Sequence, residues 1–79
     1  MPTVLRIQGF RFFFYANEGN EPAHIHVRQA EGEAKFWLTP NVSLAWVRGF
    51  NPATITLLLA LVRENQTFLL ERWHEFFAS

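Results

Sequence analysis

HIHVRQAEGEAKFWL, residues 24–38, is the stretch on which the fold turns. Apolar and polar side chains alternate through His24–Gln29 and again through Glu33–Leu38, the period of two that marks half-buried strands. Glu31-Gly32 between them reads as a hairpin turn, and Pro40 ends the second strand. Pairing about that turn sets Arg28 opposite Lys35, His26 opposite Trp37 and Val27 opposite Phe36. One face then carries Ile25, Val27, Ala34, Phe36 and Leu38, the core side. Its reverse carries His24, His26, Arg28, Glu33, Lys35 and Trp37.

Upstream, Thr3–Gln8 (TVLRIQ) and Phe10–Ala16 (FRFFFYA) predict a first hairpin turning at Gln8-Gly9. Ile7 faces Phe10 and Leu5 faces Phe12 on the core side, while Arg6 opposes Arg11 and Val4 opposes Phe13 on the other. Asn17–Pro22 is a loop by composition. Downstream, Val42–Val47 (VSLAWV) alternates weakly and is taken as a fifth strand, with a short helix as the alternative. Asn51-Pro52 is a helix start, Asn at the N-cap and Pro in the first turn. The apolar stripe Ile55, Leu58, Leu59, Val62, Leu69, Trp73, Phe76 keeps helical spacing almost to the end. One helix of about 26 residues would run ~39 Å, against a radius of gyration of ~12 Å for a domain this size. It must bend near Asn65-Gln66 or overhang onto a partner. The expected fold is α+β: an antiparallel sheet of four or five strands over residues 1–48, and one long C-terminal helix over 51–78 packed on one face, all in a single domain 1–79.

The chain has 79 residues, 7 basic and 7 acidic side chains, 3 His and no Cys. A disulfide framework and any thiolate metal site are thereby excluded. No apolar run reaches the ~18 residues of a membrane span, and no basic-then-apolar start suggests an export signal. The expectation is a soluble, cytoplasmic domain without a membrane partner. Zero net charge argues against diffuse binding to nucleic acid unless the charges are sorted by face. Nine Phe and three Trp are more ring area than so small a core easily hides, and this predicts a partner, a second copy or another protein.

The sheet registers do sort the charges. Arg6, Arg11, Arg28 and Lys35 share the reverse face with Phe13, Tyr15 and Trp37, while Glu64, Glu71 and Glu75 fall on the helix. Cations interleaved with rings suit single-stranded nucleic acid, phosphates on the cations and bases on the rings. Arg6, Arg11, Arg28, Lys35, Tyr15 and Trp37 are therefore the candidate ligand-binding residues. Arg stems also stack on rings merely to cover them, and Glu31 and Glu33 could neutralise Arg28 and Lys35.

His24 and His26 leave one strand face about 6.5–7 Å apart. That spacing suits a general acid and base either side of a phosphate, with Arg28 or Lys35 holding it, so both are candidate catalytic residues. It also suits two ligands of one metal, but a third would have to come from Glu18, Glu21 or His74, and local spacing fixes none of them. The reading therefore takes no metal and no cofactor. The plainer alternative is that the pair anchors the preceding loop by hydrogen bonds and packs on Trp37. A second apolar row on the helix, Leu57, Leu61 and Phe68, is the candidate partner interface, unless it buries against a curved sheet. His74 is a surface or interface position. No Gly-rich phosphate loop, nucleophile elbow or paired-carboxylate site is present.

GFRFFFYANEGNEPAHIHV (Gly9–Val27), EAKFWL (Glu33–Leu38), RGF (Arg48–Phe50) and LVRENQTFLLERWHEFF (Leu61–Phe77) together resemble a family of very small bacterial proteins, domain-of-unknown-function family four-one-six-zero. The resemblance covers nearly the whole chain. It implies a pairing with a second small protein, of domain-of-unknown-function family two-four-four-two, in modules that look like toxin–antitoxin pairs, with this chain on the toxin side. It implies no established activity. Ala23 stands where the family commonly has Pro, and Ala53–Leu61 (ATITLLLAL) replaces a segment usually rich in Arg and Glu. The expected function is a toxin-side component whose basic-aromatic face engages an RNA-like anion. The alternative is a non-catalytic module that binds a cognate small regulatory protein through its apolar helix. A homodimer is compatible with either.

Overall fold

The structure, a computed structural model, describes residues 3–78, so the ends of the expected domain, residues 1–2 and 79, lie outside it. Five strands, β1 (Thr3–Ile7), β2 (Phe10–Phe13), β3 (His24–Gln29), β4 (Gly32–Trp37) and β5 (Ser43–Arg48), form one antiparallel sheet in chain order. Helices α1 (Pro52–Glu64) and α2 (Gln66–Phe77) follow. The α+β class and the fifth strand are as the sequence predicts. The single long helix is not, because it is interrupted at Asn65.

The β1–β2 hairpin has the expected two-residue turn. Gln8 and Gly9 both adopt positive φ, 52° and 82°, the geometry whose twist matches paired strands. Leu5↔Phe12, Arg6↔Arg11 and Ile7↔Phe10 pair as read, but an irregularity between Thr3 and Leu5 sets Thr3, not Val4, opposite Phe13. Val4 packs against the core instead of lying on the reverse face.

In the β3–β4 hairpin the register differs by two residues from the expected one. Arg28 pairs with Glu33, His26 with Lys35, and Val27 with Ala34. The turn residues are Ala30 and Glu31, with Ala30 at φ 52°. Gly32 belongs to the strand, paired with Gln29, and a Cβ there would overlap the Phe50 ring, so its missing side chain serves packing rather than turning. A slip of two keeps every side chain on its face, so the assignment of faces survives while every cross-strand partner changes. The like-charged pair expected at Arg28 and Lys35 is an opposite-charge pair, Arg28 and Glu33.

Asn51 caps α1, its Oδ1 accepting from the Thr54 N–H at 2.8 Å, with Pro52 following. At the other end Asn65 Nδ2 donates to the Leu61 carbonyl at 2.8 Å, while the Asn65 N–H is shared between Leu61 and Val62 carbonyls. A side chain competing for helix carbonyls disrupts the regular ladder. Gln66 Nε2 then donates to Leu38 O at 2.7 Å and ties the break to the sheet. The bend lets both segments cover the face, with Leu58, Val62, Leu69 and Trp73 buried against Phe12, Ile25 and Phe36. Leu61 is also buried in this core and so drops out of the apolar row read as a partner interface, whereas Leu57 and Phe68 remain exposed.

Leu58 is fully buried and Leu57 is 38% exposed. Leu58→Ala is expected to lower the unfolding free energy by ~2–5 kcal/mol, close to all that a domain this small holds. Leu57→Ala should cost less than ~1 kcal/mol, and urea titration of the two variants checks the contrast.

Candidate functional site

The face of the sheet opposite the helical cover divides into two zones, the second of which meets the C-terminal end of α2. Near the hairpin turns, the registers align Arg6, Arg11, Arg28, Glu33 and Arg48 in one row across all five strands. The row spans about 19 Å at the usual strand spacing. Four guanidiniums thus share a row with one carboxylate. Glu33, buried, meets Arg48 Nη2 at 3.2 Å and Arg28 Nε at 3.8 Å. Among the described residues no carboxylate oxygen lies within ion-pair distance of Arg6 or Arg11. Arg11 instead covers the Phe13 ring at 4.5 Å. Trp46, next to the row on β5, is 38% exposed.

The second zone is roofed by the β2–β3 loop. A short 3₁₀ turn, Ala16–Glu18, lays Glu18 over β3. Its Oε1 lies 2.7 Å from His24 Nε2 and 2.8 Å from His26 Nε2. His24 Nδ1 donates to the Pro22 carbonyl at 2.9 Å. Both rings are buried, at 0% and 2% exposure. His24 packs against Trp73 of α2 and Trp37 of β4, and His26 stacks on Phe13 with Tyr15 edge-on. Tyr15 donates to Glu33 Oε2 at 3.1 Å, and His26 Nδ1, without a hydrogen-bond partner, faces that same oxygen at 3.5 Å.

Of the residues singled out from sequence, Arg6, Arg11 and Arg28 are brought into the open row. Lys35, Tyr15 and Trp37 share the face but lie at the roofed end. Lys35 is buried, bonded to Glu21 Oε1 at 2.6 Å and held over the Trp37 ring, so its charge is already answered. His24 and His26 are joined by Glu18, and neither imidazole is open to a phosphate. Their hydrogen bonds and ring contacts with the loop and Trp37 are those of the plainer alternative. Glu18 also supplies the third metal-type donor that local spacing does not fix: one donor atom each from Glu18, His24 and His26 lie within 4.8 Å of one another. Glu21 is occupied by Lys35, and His74 is exposed on α2. Arg48 and Trp46 join the open zone without having been singled out from sequence. The i, i+2 pair Trp46 and Arg48 is the signal that points to them, and a fifth strand ending at Val47 stops one residue short of Arg48; an irregularity in the β4–β5 register sets Leu44 opposite Phe36 instead.

Burial pushes the Tyr15 hydroxyl above its ordinary value, and its bond to Glu33 adds to this. Burial lowers His26, with Glu18 only partly offsetting it. Burial raises Glu18, but its close contacts with His24 and His26 outweigh that and leave it below the ordinary carboxylate value.

The described chain is thus a small five-stranded meander with helices on one face, and a roofed His–Glu cluster beside a basic row on the other. It matches the family model described as Domain of unknown function (DUF4160) over residues 9–74 and belongs to that family. No curated protein and no solved structure matches it. Among the described residues no helix is long and apolar enough to cross a membrane.

The two lowered groups give stability the same sign. A lowered His contributes stability above its unfolded value, 6.5, that is lost as pH falls beneath it; a lowered Glu does so below 4.5. In chelator-containing buffer the urea midpoint is therefore expected to fall from pH 7 to pH 4, starting below about 6.5. His26→Gln should flatten the upper part of that decline.

Proposed function

We propose that the open half of the sheet face binds an anionic, RNA-like ligand, and that the chain acts as the toxin-side component of a two-protein module. The observation that carries this reading is the row Arg6, Arg11, Arg28 and Arg48 answered by the single carboxylate of Glu33. A row of like charges is mildly unfavourable for the sheet itself, and an anion laid across it relieves the repulsion. Trp46 beside the row offers a ring for a base, the second element of single-strand recognition. Lys35 and the two His are buried and take no part, so the proposal is one of binding and gives His24 and His26 no step in a reaction.

The test is binding of a fluorescent single-stranded RNA over a range of salt concentrations. The affinity is expected to fall linearly on a log–log plot. Replacing Arg6 and Arg11 by Gln, which removes both charges and the Arg11 guanidinium over Phe13, should reduce the slope by ~1.4, about 0.7 for each phosphate no longer neutralised. Trp46→Ala should weaken binding at every salt concentration. No binding at low salt rejects the RNA reading. For the toxin role, induction of this chain alone is expected to arrest a bacterial culture and the Arg6→Gln/Arg11→Gln variant to leave it growing.

A second reading, a non-catalytic module bound to a cognate antitoxin-like protein through the helices, is favoured by Leu57 and Phe68, 38% and 39% exposed on the helical layer. Under it Leu57→Glu abolishes a complex with the cognate small protein while the arginine substitutions leave it intact.

A further inference from the structure

Hydrogen bonding beneath the β2–β3 loop does not balance with neutral rings. The Pro22 carbonyl can only accept, so His24 Nδ1 carries a proton, and the neutral ring then turns a bare Nε2 toward Glu18 Oε1 at 2.7 Å. If His26 places its proton on Nε2 to meet Glu18, its Nδ1 lone pair faces Glu33 Oε2 at 3.5 Å with no partner, at a ring 2% exposed. Moving that proton to Nδ1 turns the contact with Glu33 into an attraction, but leaves a second bare Nε2 at Glu18. In that tautomer two imidazole lone pairs and a carboxylate converge on one place, and a single cation satisfies all three.

We propose that Glu18, His24 and His26 form a binding site for a divalent first-row transition-metal ion, Zn²⁺ being the ion that two imidazoles and one carboxylate suit. The donor set is of the kind such ions take, and three protein ligands leave a position for water. Ligand atoms around a tetrahedral Zn²⁺ stand about 3.3 Å apart. The Glu18 contacts, now 2.7 and 2.8 Å, need open by only about half an ångström. Glu18 can supply that movement, since its side chain is 23% exposed and rides on a loop, while the two imidazoles of β3, whose donor atoms lie within 4.8 Å of each other, must turn toward one another by up to about 1.5 Å. The outer shell is already built. Pro22 O orients His24 and the Glu33 carboxylate faces His26 Nδ1, the arrangement that holds metal-bound imidazoles in place. The competing account is a metal-free cluster in which His24, fully buried, carries protons on both nitrogens against Glu18.

The experiment is a titration of tag-free, EDTA-stripped protein with CoCl₂, read by the visible d–d bands of bound Co²⁺ and by displacement with ZnCl₂. One Co²⁺ per chain is expected, displaced stoichiometrically by Zn²⁺. Glu18→Gln and His26→Gln should each weaken binding more than ~100-fold, Glu33→Gln by ~10–100-fold, and Glu21→Gln hardly at all. Far-UV circular dichroism checks folding. The partly exposed Glu18 gives a readable variant where a buried histidine variant fails to fold. No d–d bands in excess CoCl₂, or binding that survives Glu18→Gln unchanged, overturns the site.

Discussion

One carboxylate oxygen, Glu18 Oε1, holds the outer side of this molecule together. It reaches both imidazoles of β3 at once, and without it two buried rings would lack their shared partner. Through it the β2–β3 loop lies flat on the sheet, and the groups beneath are shielded: Phe13 at 0% exposure, His26 stacked upon it, Tyr15 edge-on. The contact also communicates with the helical layer, because the His24 ring lies 4.8 Å from the Trp73 ring of α2, itself edge-on to Phe14. A buried polar group is costly when unpaired. That cost makes the loop's position a condition for the fold.

Glu33 does for the open half what Glu18 does for the roofed half. Buried at the centre of the face, it accepts from Tyr15 and Arg48, lies near Arg28, and stands beside His26 Nδ1. It therefore links the basic row to the histidine cluster. A change in charge at either end is felt by the other through one carboxylate. The neutral total charge conceals this arrangement, because of the seven carboxylates only Glu33 is buried on the face, while Glu18 and Glu21 lie in the β2–β3 loop, Glu31 is exposed in the β3–β4 turn and Glu64, Glu71 and Glu75 are on the helices.

The period of two makes the faces of β3 and β4 legible, and because a two-residue slip preserves parity, His24, His26, Arg28 and Lys35 group correctly even with the turn misplaced. Lateral neighbours are not legible. They depend on Gly32 giving room to Phe50 and on Ala30 accepting a positive φ, and neither fact is local. Asn51-Pro52 announces the start of α1 unambiguously, since capping is decided within four residues. The interruption at Asn65 is visible as a lapse in the apolar stripe, but the competition for the Leu61 carbonyl that makes it a break is not. Glu18 is the hardest to place. Composition says only that it lies in a loop, and its role follows from how the loop folds back over β3.

The strand order has a consequence for how the chain acquires this structure. Every sheet pairing joins consecutive strands, so the sheet can grow hairpin by hairpin with short closures, a route that favours rapid folding. The helices that cover it follow the sheet along the chain, beginning at Pro52. During synthesis, therefore, a finished or nearly finished sheet precedes its cover, and Phe12, Ile25 and Phe36 face the surroundings until α1 and α2 have emerged. That interval, more than the native surface, is when the nascent chain is exposed to aggregation and to chaperones.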